Sequence, residues 1–176
     1  MTGDDALARE AIAHLDALYR LARHLTGNDR DAEDLVQEAY VRAFGALPRF
    51  EPGTDLKAWL MRILRNVHVS AWRHSRRGPH ALEPSVEEVA PPPDAFVRGE
   101  LALEQMRAVV GSEIEAALAE LAPDARTLVL LHLEGLTDRE MADVMGWPVG
   151  TVKSRLSRAR AALRDRLAPY ARRATS

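Results

Sequence analysis

The stretch from Gly78 to Phe96 limits the possible folds more than any other part of this chain. It holds five prolines (Pro79, Pro84, Pro91, Pro92 and Pro93) among Glu83, Glu87 and Glu88, and few side chains that could be buried. Proline removes a backbone donor and clashes with the preceding helical turn, so no helix continues through it. A segment this poor in apolar residues cannot offset the entropy of ordering, and it reads as an extended acidic linker. The 176 residues therefore divide into two small units, 1–77 and 98–176, joined by 78–97. With no cysteine, neither unit can be stapled by a disulfide or by a thiolate-bound zinc. Each must build its own apolar core. Hydrophobic residues make up 47% of the chain but aromatics only 5%, so that core is Leu, Ala and Val.

Both units show helical spacing, which predicts an all-α fold. Leu7, Ile12, Leu15, Leu18, Leu21, Ala22 and Leu25 recur at threes and fours and mark one helix ending near Gly27. A second runs from about Asp29 to Ala46, with Asp29, Asp31 and Glu33 at the positive end of its dipole. Pro48, Pro52 and Gly53 form a loop, and Thr54 or Asp55 caps a third helix bearing Leu56, Trp59, Leu60, Ile63, Leu64 and Val67. Beyond the linker, a helical pattern begins near Val97 and continues to Leu121. Pro123 opens a further helix that Gly135 ends. Thr137 with Glu140 is a capping box, Gly146 closes the short helix it starts, and Pro148 opens a longer one. Helix, tight glycine turn and basic second helix make a helix-turn-helix pattern.

A formal net charge of −2 conceals three uneven segments. Gly27 to Glu38 carries five acids against Arg30. Arg62 to Arg77 carries five arginines and no acid. Lys153 to Arg173 carries eight cations and only Asp165. On the last helix, Val149, Val152, Leu156, Ala159 and Leu163 form an inward stripe. The opposite face offers Gly150, Thr151, Ser154, Ser157 and Arg158, flanked by Lys153, Arg155 and Arg160. Small hydroxyl side chains let a helix approach a groove floor while flanking cations reach phosphates. An ordinary solvated helix mixes Glu with Lys at spacings of four. No acid interrupts residues 153–164, which favours a DNA-binding face.

The chain resembles the extracytoplasmic-function (ECF) sigma factors, compact two-domain members of the bacterial sigma-70 family. The resemblance is carried by DAEDLVQEAYVRAF (Asp31 to Phe44), FEPGTDLKAWLMRILRN (Phe50 to Asn66) and LTDREMADVMGWPVGTVKSRLSRARAAL (Leu136 to Leu163). It implies that Asp31, Glu33, Asp34, Leu35, Val36, Gln37 and Glu38 grip the clamp coiled coil of core RNA polymerase, the flap being a second docking site. A carboxylate-rich helix with interleaved apolar residues suits a basic amphipathic partner. It implies that Phe50, Glu51, Gly53, Thr54 and Asp55 capture an unstacked base of the promoter −10 strand, which single-strand reading requires. Arg62, Arg65, Asn66, His68, Arg73, Arg76 and Arg77 would add phosphate and base contacts there. Trp59, at helical spacing with Leu56, Leu60 and Ile63, belongs to the core on this reading. For the −35 element it implies Thr151, Lys153, Ser154, Ser157 and Arg158 as base-edge and backbone contacts. Arg155 and Arg160 would hold phosphates, with Thr137 and Arg139 assisting from a helix N-terminus. An anti-sigma protein clamping both units is a further family expectation.

Other function classes fit less well. A dimeric helix-turn-helix regulator would leave the acidic helix and long linker unused. A sigma mimic that sequesters an anti-sigma partner need not keep the basic face at Ser154 and Arg158. Catalysis by this chain is not expected: the six histidines lack metal spacing and no glycine-rich loop cradles a phosphate, so no cofactor or metal is expected. No apolar run nears the roughly 20 residues of a membrane span, and the acidic Met1 to Asp5 is unlike an export leader. The expected compartment is the cytoplasm.

Overall fold

The computed structural model describes residues 3–51, 53–75, 111 and 113–173. Segment 78–97, residues 98–110, Pro52, Arg76 and Arg77 lie outside the described residues. Every regular element among those described is helical: α1 (Gly3–Ala13), α2 (Leu15–Thr26), α3 (Asp29–Ala46), a 3-10 turn (Leu47–Arg49) and α4 (Leu56–Ser75) form the first lobe. The second holds helical residues 113–119 (α5), then α6 (Pro123–Leu133), α7 (Asp138–Met145) and α8 (Val149–Arg173). No described helix is long and apolar enough to cross a membrane.

The single first helix expected from spacing is two. In a continuous helix the Ala11 carbonyl would accept from Leu15. Instead it takes the His14 N–H at 3.1 Å and the Tyr40 hydroxyl at 2.7 Å, which ends α1 and lets α2 restart. Asn28, which precedes the start read from the sequence, is the actual cap of α3, its side chain accepting from the Asp31 N–H at 2.9 Å. At α4 the choice between two caps resolves to Asp55, whose Oδ1 accepts from the Ala58 N–H at 2.7 Å. Thr54 instead donates to the Glu51 carbonyl at 2.7 Å and tightens the loop. The capping box of Thr137 and Glu140 forms with both of its bonds. Gly146, at φ +67°, turns the chain into α8 through a left-handed conformation that a side chain would strain.

Leu18, Leu60, Met61 and Leu64 centre the first lobe's core; Leu128, Leu131, Met141, Val144 and Val152 centre the second's. The two are not separate. Their buried side chains make one continuous apolar cluster, because α2 packs on α6 and α4 packs on α7. Three polar links between side chains and their partners cross this seam. Arg20 bonds Glu134 at 2.7 Å, His24 Nε2 meets Thr127 Oγ1 at 2.9 Å, and Arg65 reaches the Val144 carbonyl at 3.4 Å. Lys57 also donates to the Glu134 backbone carbonyl.

Candidate nucleic-acid interface

The acidic helix presents one face outward. Ala32, Leu35, Val36, Ala39 and Ala43 point into the core, with Leu35 and Val36 only 7% and 5% exposed. These two, placed by the resemblance among the partner-gripping residues, are buried here and anchor the helix in its own core. Asp31, Glu33, Asp34, Gln37 and Glu38 are exposed. Of these, Asp31 is partly engaged by the Asn28 amide at 2.8 Å, and Glu38 pairs with Arg42 at 2.7 Å. Val41 and Phe44 add exposed apolar surface on the same helix, Phe44 stacked in a tilted pair on Tyr40. Neither is among the partner-contact candidates of the sequence analysis, although Phe44 belongs to the apolar pattern of the helix and closes the quoted motif.

The loop after α3 borders a cleft of about 630 Å³. Glu51, Gly53, Thr54, Asp55 and Arg62 line one wall; Thr137, Arg139, Glu140 and Asp143 of the second lobe line the other. Gly53, at φ +93°, makes the turn that exposes these side chains. Phe50 does not line the cleft: it packs edge-on against Trp59, ring centres 5.3 Å apart. Trp59 is packed against the core, as its spacing suggests, and also lines the cleft floor. Arg49, which sequence reasoning passed over, contributes a guanidinium to the same cleft. The available signal was a lone cation inside the loop that Pro48 opens.

Along α4, Arg62, Asn66 and Arg73 are exposed, whereas Arg65 is half-buried at the seam. Burial holds the Arg65 guanidinium below its ordinary pKa, opposed by nearby Asp124. His68 is also lowered by burial and by Arg65. His24 is pulled down to about 4, first by burial and then by Arg126, so it is neutral at pH 7. The Thr127 hydroxyl donates to the Pro123 carbonyl at 3.0 Å, which leaves its oxygen to accept from the His24 ring.

On α8 the inward stripe holds at Val152, Leu156 and Ala159, which are buried, and at Leu163, which is partly buried against the core, but Val149 at the helix start is exposed; Lys153, Ser154, Arg155, Ser157, Arg158 and Arg160 are exposed and Thr151 is half-exposed. Local partners hold several of these side chains in place. Arg155 lies over the Trp147 ring at 4.2 Å and 3.7 Å from Asp124, Lys153 is 3.9 Å from Asp138, and Arg160 donates to His132. Arg158 lies along the helix and bonds the Ser154 carbonyl at 3.2 Å. Thr137 and Arg139 are exposed at the start of α7. Among the described residues no cluster of His, Asp and Glu could hold a metal ion.

Comparison with known proteins matches this layout. Residues 12–78 fit the family model of sigma-70 region 2, and residues 112–163 that of sigma-70 region 4. The ECF RNA polymerase sigma factor SigE of Mycolicibacterium smegmatis is 38% identical over 167 residues, 94% of this chain. This chain spans 62% of the length of that relative. The ECF RNA polymerase sigma factor EcfG of Rhodopseudomonas palustris is 35% identical over 163 residues, covering 90% of this chain and 83% of that one. Among solved structures, the sigma factor RpoE of Bartonella quintana in complex with the anti-sigma factor NepR superposes with a TM-score of 0.67 at 32% identity. It covers 90% of this chain and 94% of that one.

Proposed function

The chain belongs to the ECF RNA polymerase sigma factors of the sigma-70 family, and from that membership we propose that it confers promoter specificity on core RNA polymerase. In this reading residues 1–77 form the domain that docks on polymerase and reads the −10 element, 78–97 form a linker, and 98–176 read the −35 element. The observation that carries the proposal is the pairing, in one chain, of an exposed acidic face on α3 with an exposed basic helix-turn-helix face on α8. Opposite charges meet opposite partners: carboxylates suit a basic coiled coil, and cations with small hydroxyl residues suit a major groove.

The chain acts by binding alone, in the cytoplasm, and leaves catalysis to the polymerase. Neither lobe needs tight DNA affinity by itself, because tethering both to polymerase makes each contact intramolecular. Capture of unstacked bases at the loop bordered by Gly53 and Arg62 drives strand opening without nucleotide hydrolysis. An anti-sigma protein is the expected regulator: NepR is the partner of the Bartonella relative. Runoff transcription with bacterial core polymerase on a randomised promoter library tests the proposal. The chain should enrich templates sharing two separated elements; enrichment no different from core polymerase alone would refute it.

A further inference from the structure

Helix α8 carries cations on two flanks, and the two flanks are held differently. At about 100° per residue, Lys153, Arg160 and Arg164 fall within about 40° of one another. Arg155 and Arg166 fall within about 20° of each other, on the other side of Ser154 and Arg158. That second pair is tied inward. Arg155 lies over the Trp147 ring at 4.2 Å and 3.7 Å from Asp124, and Arg166 bonds Glu120 at 2.6 Å. Both acids stand where α5 gives way to α6, so these guanidiniums fasten α8 to its own lobe. The first set opens outward. Lys153, Ser157, Arg160 and Arg164 line a hollow of about 340 Å³ beside the start of α7. Asp138 lines it too, but at 3.9 Å between exposed groups it holds Lys153 weakly. Arg160 is steadied by one nitrogen of His132, which leaves most of its donors free. Arg164 is exposed and pairs with no acid among the described residues.

Resting on the proposed sigma function, we infer that α8 grips the DNA backbone from one flank only, with Arg164 as a further phosphate contact beside Lys153 and Arg160. A helix with its side chains is roughly 10–12 Å across, close to the roughly 12 Å width of a major groove. Filling the groove sets each flank of the helix against one phosphate wall. The open strip from Lys153 to Arg164 runs roughly 16 Å along the axis, long enough to follow its wall past the bases that Ser154 and Ser157 approach. Arg155, which the resemblance places on a phosphate, is a brace instead: reaching a phosphate would cost it both the Trp147 ring and Asp124.

Promoter binding by the full chain with core polymerase, measured on ice across a potassium chloride series, tests this together with phosphate ethylation interference on the same fragment. Each phosphate neutralised by the protein contributes about −0.9 to the slope of log affinity against log salt. Arg164→Gln should make that slope shallower by about 0.9 and remove one upstream phosphate from the interference pattern. Arg155→Gln should leave the slope and the pattern as they are and lower the melting temperature by about 3 °C, as loss of a brace does. If either the slope or the pattern is unchanged by Arg164→Gln, the contact is overturned. If Arg155→Gln also flattens the slope, both flanks grip and the one-sided reading is overturned. If the unaltered chain gives no upstream interference with core polymerase, the sigma reading itself falls, which is distinct from either failure.

Discussion

Helices α3 and α4 belong to the same lobe and pack on each other, yet they meet their surroundings in opposite ways. Helix α3 buries a narrow stripe and gives its acidic face to solvent. Helix α4 buries one face in its own lobe and lays part of another, through Lys57 and Arg65, on the second lobe. The surface proposed to dock on polymerase is open as folded; the one proposed to read the promoter is partly occupied. The difference shows that exposure of a functional side chain is decided by what its helix packs against, over and above its position on a helical wheel.

Reversing charge on the open side should produce the largest effect. Asp34→Lys with Glu38→Lys should weaken binding to core polymerase by about 100-fold, close to 3 kcal/mol, in a fluorescence titration. Its helical circular dichroism should be unchanged, because both side chains are exposed. Binding within threefold of wild type would erase the contrast between the two helices.

The covered side should respond to acid. His24 has its folded pKa depressed to about 4 from an ordinary 6.5, so the unfolded chain binds the proton first. The stability it contributes is complete above pH 6.5 and is lost as pH falls from 6.5 toward 4. After allowance for its partial solvent contact, the loss is about 2 kcal/mol in urea titrations at the two pH values. His24→Gln should flatten that part of the profile, and an unchanged slope would remove His24 from the seam's energetics.

On α8, Arg158→Ala should lower transcription from promoters with an upstream element by about tenfold, near 1.4 kcal/mol, with little change on promoters lacking one. An unaltered promoter profile would contradict the assigned face. The smallest effect belongs to the ion pair of Arg20 with Glu134 across the seam. Arg20→Ala should cost below about 1 kcal/mol in thermal unfolding, since that guanidinium is largely solvated. A loss above 2 kcal/mol would mean the seam is held by electrostatics rather than by its apolar cluster.

Local chemistry made much of this architecture legible beforehand. The Thr137–Glu140 box, the glycines at 27, 135 and 146 and the stripe Val152, Leu156 and Ala159 depend on neighbours a few positions away. The exposed candidates on α3 and α8 follow from the same periodicity. What escaped is long-range. The break at His14 arises because Tyr40, distant in sequence, claims the Ala11 carbonyl. Arg65, which the resemblance places among the −10 contacts, lies against a carbonyl 79 positions away. Phe50 turns to Trp59 because an edge-to-face pair covers two rings that the loop would otherwise leave wet. None of these has a periodic signature, since each depends on which surfaces meet.

The central claim is that two helical modules on one polymerase touch two separate stretches of DNA. Footprinting of core polymerase on a selected promoter, with and without the chain, tests it most directly. The chain should add two protected patches roughly two and a half helical turns apart, and Arg158→Ala should erase only the upstream one. A single patch, or protection unchanged by adding the chain, would contradict the account.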